Sequence, residues 1–176
     1  MNLDRPTPPD PYAQLPAVPS FAVEADFADG STLPDAHVYA EGNTSPRLSW
    51  SGAPAGTKSY AVSCYDPDAP TPSGFWHWFV VNVPGDVTEL AEGAGAIQGT
   101  GLPEGALHLS NYFGTRDFGG AAPPPGDRAH RYIFAVAALD VERVDLEPET
   151  SPAKASFLML EHVIGRGLTT GLYAAS

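Results

Sequence analysis

The chain has 176 residues, with 21 Asp and Glu against 9 Lys and Arg, a formal net charge of −12. That length suits one domain with its own core, and that charge argues against DNA, RNA or an anionic membrane surface as the main partner. The single cysteine, Cys64, excludes an internal disulfide and fits a reducing compartment; with no signal-peptide pattern and no membrane-length apolar run, the expected location is cytoplasmic. The 19 prolines and 18 glycines imply many turns, hence short strands rather than long helices.

Residues 1–20 read as a proline-rich arm, extended rather than helical, ahead of a single domain over 21–176. In "FAVEAD", Phe21, Val23 and Ala25 alternate inward, as in a half-buried strand. "PRLSW" and "KSYAVSCYD" read as further strands, and the run from Trp76 to Val83, apolar on both faces, as a central one. Residues 85–129 are mostly Gly, Pro, Ala and polar, a long connection of the kind that usually carries function. "HRYIFAVAALD" (130–140) is again apolar on both faces. Ser151 as N-cap, Pro152 at the first helical position and Phe157, Leu160 and Ile164 at helical spacing predict one helix, ending before Gly165.

The densest chemistry is "YDPDAPTPSGFWHWFVVNVP" (65–84). Asp66 and Asp68 are two apart and locked between prolines, and His77 opens an apolar strand. Strict alternation places His77 with Phe79 and Val81, opposite Trp76 and Trp78, which read with Trp50 as core residues. His130 and Tyr132 share one face of the second apolar run, with Arg131 on the other. If the two runs are neighbours, two carboxylates and two imidazoles converge at one sheet edge. The bland reading of Asp-Pro-Asp is only a turn, and that of a histidine at a strand end is structural. Zn²⁺ or Fe²⁺ ligation is open to such a set, but no His-x-x-x-His or Cys-x-x-Cys spacing supports it. There is no Gly-x-Ser-x-Gly, no phosphate loop and no dinucleotide fingerprint. Glu161 and His162 read as a solvated helix face.

"DPDAP" (66–70), then "FWHWFVVNVP" (75–84), then "PPGDRAHRYIFAVAAL" (124–139) resembles the phosphatidylethanolamine-binding protein family, which includes the Raf kinase inhibitor protein and the plant flowering-time regulators. The likeness runs from about residue 20 to residue 173, and "NYFGTRDFGG" points to its bacterial branch. Ala121 departs from the usual aromatic-Gly-Gly-Pro, and Ala122 stands where many relatives carry Cys. The resemblance implies a mainly β (α+β) fold, a large central sheet packed on a smaller one, with a C-terminal helix and long pocket-forming loops. It implies a pocket for a phosphate, a carboxylate or a phosphoethanolamine head group, walled by Asp66, Asp68, His77, Pro124, His130 and Tyr132, with Pro70 and Phe75 at the rim. It also implies a cis peptide at Ala69–Pro70 and a homodimer, to which exposed aromatics of the arm such as Tyr12 would contribute.

Beside a purely structural or interaction protein with an idle pocket, two function classes stay open at this point. One is a binding module for a small anion that, through the pocket's loops, modulates a protein partner such as a kinase, with no cofactor, no metal and no catalytic residue. The other is a hydrolase-type enzyme using an Asp–His pair as general acid and base, although no nucleophile or oxyanion-hole motif accompanies it. The pocket has no Arg or Lys assigned to its wall, and neighbouring carboxylates are expected to raise both imidazole pKa values.

Overall fold

The computed structural model describes residues 3–175. Among the described residues, eight strands form two antiparallel sheets. The smaller joins β1 (Ala22–Ala25), β2 (Leu48–Ser51) and β5 (Glu89–Leu90) in the order β1-β2-β5. The larger joins β3 (Ser59–Asp66), β4 (Phe75–Pro84), β6 (Leu107–His108), β7 (His130–Leu139) and β8 (Val163–Tyr173) in the order β6-β4-β3-β7-β8. Both doubly apolar runs are therefore interior strands, β4 and β7, flanking β3, and most of their side chains are buried. The alternation expected for Val23 and Ala25 holds, each half-buried beside exposed neighbours.

The main core fills the space between the sheets, with Leu48 and Trp50 of β2 against Val62, Trp78, Phe134 and Val136. A second cluster covers the other face of the large sheet, where Phe79, Val81 and Leu139 meet Ala155 and Met159 of the helix α1 (Pro152–Met159). Burial on both faces is why β4 and β7 carry no polar alternation.

Two bulges break the expected facing of β4. Cys64 pairs with Trp78 and Tyr65 with Trp76, which leaves His77 as the extra residue. The second insertion lies between Val80 and Val83, where Asn82 takes φ 60° and its side chain bonds the backbone of Val144 in both directions. An inserted residue flips the side chains that follow it. Trp76 consequently packs with Phe79 toward the helix face, half-buried, while Trp78 enters the main core. Strict alternation sets both tryptophans on one face and His77 with Phe79; the bulge at His77 overturns that.

The helix begins as expected, with the Ser151 hydroxyl accepting from the Lys154 amide and Pro152 in the first turn. It ends at Met159, and after a 3₁₀ turn over Leu160–His162 the chain becomes β8, which sequence reasoning missed. Pro152, Ala155 and Met159 face inward, not Phe157, which is 75% exposed. Glycines disguise β8, and packing requires them. A Cβ at Gly167 would stand 2.4 Å from Val23 Cγ2, and one at Gly171 would stand 2.2 Å from Leu33 Cδ2.

Residues 3–20 of the arm are extended apart from a 3₁₀ turn over Tyr12–Gln14. It lies against the body of the protein. Tyr12, read from sequence as an exposed aromatic, is half-buried with the Arg166 guanidinium 5.6 Å over its ring, and burial pushes its phenol up to about 12. Among the described residues no helix is long and apolar enough to cross a membrane.

Candidate functional site

The site forms where the ends of β3, β4 and β7 meet the arm and two loops. The Asp66-Pro-Asp-Ala-Pro turn is built by a side chain: one oxygen of the buried Asp66 carboxylate accepts the Asp68 amide at 2.7 Å and the Ala69 amide at 3.0 Å. A carboxylate capping two amides makes the turn without isomerisation, and the Ala69–Pro70 bond is trans, there being no cis peptide among the described residues. The expected cis bond is thereby corrected.

The other Asp66 oxygen lies 2.7 Å from His130 Nδ1, and His130 Nε2 lies 2.9 Å from Asp127 Oδ2. A neutral imidazole carries a single N–H and cannot donate to both carboxylates. His130 is therefore the imidazolium. Burial alone would lower its pKa; the hydrogen bonds to Asp66 and then Asp127 outweigh burial and hold it above the ordinary value. Asp127 in turn is held well below the usual carboxylate range, first by the Arg5 guanidinium and also by His130.

Asp68 takes a different partner. Burial would raise its carboxyl, but the Arg131 guanidinium and amide at 2.7 to 3.1 Å, with Arg128 at 3.6 Å, hold it below its ordinary value. Arg128 and Arg131 also donate to the arm, reaching the carbonyls of Arg5, Pro6 and Pro8. Arg5 itself donates to the Asp68 carbonyl and pairs with Asp127 at 2.7 Å. Three arginines thus adjoin a cluster whose walls, read from sequence, held none. Arg5 had no signal, since nothing in a proline-rich arm says where it docks. Asp127 and Arg128 stood inside the "PPGDRAHRY" stretch, three and two residues before His130, but in loop positions whose direction no periodicity gives.

His77 behaves oppositely to His130. Its Nδ1 lies 2.8 Å from the Gly119 carbonyl and 3.1 Å from that of Gly120, so it carries the proton and Nε2 is left as an acceptor. Burial pushes its pKa down, outweighing the hydrogen bond to Gly119 and the more distant Asp66. The expectation that carboxylates raise both imidazoles holds for His130 and fails for His77, which faces carbonyls and rings instead. The glycine pair is required there: a Cβ on Gly119 would collide with the Phe113 ring at 2.3 Å, and one on Gly120 with the His37 carbonyl at 2.6 Å. The pair is pinned by the Gly119 amide on the His77 carbonyl and the Gly120 amide on the Asn43 side chain. Asn43, the first residue of a glycosylation-like Asn-Thr-Ser, thus has a structural task.

Phe75, Phe113 and Tyr132 surround the His77 ring at centroid distances of 5.0, 5.4 and 5.1 Å. Tyr132 is 1% exposed. Burial, and after it Asp66, raises its pKa while the nearby Ala122 amide lowers it, but that amide does not reach full hydrogen-bond geometry and the hydroxyl has no other partner. Of the four buried side-chain polar atoms without a partner among the described residues, two belong to this cluster, Tyr132 Oη and Arg128 Nε. Pro124 is half-buried, its carbonyl accepting the Asp127 amide at 3.1 Å, whereas Pro70 is exposed on the turn. Cys64 is buried and its thiol is pushed up by burial, so no thiolate nucleophile is available there. Among the described residues no group of three or more His, Cys, Asp and Glu is disposed to hold a metal. The largely apolar cavity of about 360 Å³ lies elsewhere, between the arm, the outer face of the large sheet and α1.

Two packed antiparallel sheets with an Asp/His/Tyr cluster at the strand ends define the class, a β-sheet protein of the phosphatidylethanolamine-binding type. The chain belongs to that family: the model of the family described as "Phosphatidylethanolamine-binding protein" matches residues 23–174. The UPF0098 protein YbcL of Escherichia coli K12 is 47% identical over 153 residues, 84% of each chain. The UPF0098 protein YbhB of the same organism is 44% identical over 157 residues, 86% of this chain and 98% of that one. The crystal structure of E. coli YbcL, described as a new member of the mammalian PEBP family, superposes with a TM-score of 0.86 at 44% identity, covering 89% of this chain and 99% of the other. A homologue from Chlamydia trachomatis gives a TM-score of 0.76 at 28% identity with the same coverage.

Proposed function

We propose that this chain is a binding module for a small anionic ligand, a phosphate, a carboxylate or a phosphoethanolamine head group, received between His77, Tyr132 and the Ala122 amide with Asp66 and Asp68 alongside. The observation that carries this reading is the Tyr132 hydroxyl, buried without a hydrogen-bond partner beside the His77 ring. A buried polar group left unpaired costs roughly 1–3 kcal/mol, and an anion oxygen would satisfy it. His77 Nε2 accepts rather than donates in the free protein, so an anion binding there brings or takes up a proton. With the His77 pKa held below 6.5, affinity rises as pH falls through and below that value. An ethanolamine ammonium would weaken this dependence by pairing directly with a carboxylate.

The test is calorimetric titration with inorganic phosphate, phosphoethanolamine and acetate in two buffers of different ionisation enthalpy. Saturable binding with proton uptake, weakened by His77→Ala and Tyr132→Phe, is the expected result. No binding by any of the three, or binding indifferent to both substitutions, overturns the reading.

A further inference from the structure

The Asp127 carboxylate is enclosed as a bound anion would be. Its Oδ1 accepts from Arg5 Nη1 at 3.0 Å and from the Arg128 amide at 2.9 Å. Its Oδ2 accepts from Arg5 Nη2 at 2.7 Å and from His130 Nε2 at 2.9 Å. A forked guanidinium, an imidazolium and a main-chain amide are the donors that recognise carboxylates and phosphates. The side chain is only 3% exposed, yet it reaches this place from a short turn in which the Asp127 amide bonds the Pro124 carbonyl and Gly126 takes φ 78°. The donors come from three separate parts of the chain, the arm, the turn and β7. The Arg128 guanidinium turns away to the Arg5 and Pro6 carbonyls of the arm, so this residue gives Asp127 its main-chain amide.

We propose that Arg5, His130 and the Arg128 amide form an anion seat that Asp127 fills as an internal ligand, and that a carboxylate- or phosphate-bearing ligand takes this seat by displacing Asp127. The inference deepens the reading above and rests on it: the ligand already recognised at Tyr132 and His77 would extend a second anionic group, or shift, to the arm side of the same cluster. It follows that the arm is part of the binding site, because half of the donors belong to Arg5. It follows also that Asp127 lowers the affinity of the resting protein for any anionic group that reaches the seat, since that group competes with a tethered carboxylate.

The experiment vacates the seat. Asp127→Ala removes the internal ligand, and Asp127→Asn removes its charge while keeping its shape, which guards against a loss of folding in the first. Each is titrated at constant ionic strength with inorganic phosphate and, separately, with acetate, while the ¹⁵N shift of His130 Nε2 is followed. Both variants should bind at least one probe about tenfold more tightly than the unmodified chain, with the His130 signal moving on saturation. Adding Arg5→Ala to Asp127→Ala should abolish the gain. The probe with the larger gain identifies the seat as one for carboxylate or for phosphate. Affinity equal to or below that of the unmodified chain in both folded variants overturns the proposal, as does a gain that survives Arg5→Ala. The two readings fail differently: binding by the unmodified chain that ignores Tyr132→Phe refutes the inner site, whereas an absent gain in the Asp127 variants refutes the seat alone.

Discussion

His77 on β4 and Tyr132 on β7 meet edge to face, 5.1 Å between centroids with planes at 78°, although β3 runs between their strands. The contact depends on the bulge that makes His77 the unpaired residue of β4 and turns its ring toward the inter-sheet face that Tyr132 occupies.

Replacing Tyr132 by Phe keeps that ring contact and removes the unpartnered hydroxyl. Stability of the ligand-free protein is expected to rise by roughly 1 kcal/mol, since an unpaired buried polar group is deleted, while phosphate affinity falls. Urea unfolding and calorimetry on the same sample check both halves. A loss of stability above about 1 kcal/mol would show that the hydroxyl has a structural partner.

Asp66 bonds His130 on one oxygen and two turn amides on the other. Asp66→Asn keeps the shape but strips the charge from a buried pair, which costs on the order of 3 kcal/mol because the imidazolium loses its counter-ion. The pH dependence follows from the raised pKa of His130. Its stabilising contribution is complete below the unfolded value of about 6.5 and is lost as pH climbs through the higher folded value. In Asp66→Asn that alkaline loss should shrink, and an NMR titration should find the His130 pKa lowered. An unchanged His130 titration would mean that Asp127 alone holds the proton.

Some of this was legible beforehand and some was not, for identifiable reasons. The doubly apolar runs at 76–83 and 130–139 could only be interior strands, and the Asp-Pro-Asp and His positions lay at their ends, so the meeting of Asp66 with His130 was accessible from pattern. Facing was not: alternation assumes an unbroken ladder, and nothing in "FWHWFVVNVP" marks His77 or Asn82 as inserted residues. Nor was pairing by charge. Two Asp and two His look alike in sequence, yet one imidazole ends between carboxylates and the other against the Gly119 and Gly120 carbonyls. β8 was hidden because its glycines, demanded by the close approach of Val23 and Leu33, erase the apolar alternation by which strands are recognised.

That explanation for β8 can be tested. Gly167 pairs with Val136 in the ladder, and a Cβ there would lie 2.4 Å from Val23 Cγ2 and 2.8 Å from the Phe21 carbonyl oxygen. The Val23 side chain can shift, but the Phe21 backbone cannot without moving the strand entrance. Gly167→Ala should destabilise the fold by roughly 1–3 kcal/mol, the usual cost of overpacking, despite the higher strand propensity of alanine. Chemical denaturation provides the measurement; a neutral or stabilising effect would show that the close packing of β1 on β8 is not what calls for glycine.

The last prediction concerns acid stability and a buried pair outside the binding cluster. The Trp78 indole N–H donates to His108 Nε2 at 3.0 Å, and the two residues are 0% and 6% exposed. Indole has a donor and no acceptor, so the bond exists only while His108 Nε2 is unprotonated. Protonation would set one N–H against another inside the core, and burial accordingly pushes the His108 pKa down to about 4, with Asp117 opposing weakly. The folded value lies below the unfolded one of 6.5, so the stabilisation is whole above pH 6.5 and is lost as pH falls toward about 4. At about 1.4 kcal/mol per pH unit the full swing is about 3 kcal/mol, an upper bound. His108→Gln retains an oxygen to accept the indole proton but cannot titrate. It should leave stability near neutral pH within about 1 kcal/mol and flatten the decline between about pH 6.5 and about pH 4. Trp78 fluorescence, read in a background where Trp50 and Trp76 are phenylalanine, should change over the same interval in the parent and stay level in His108→Gln. If the two stability curves run parallel through that interval, the indole–imidazole bond is not the acid-sensitive element of this core.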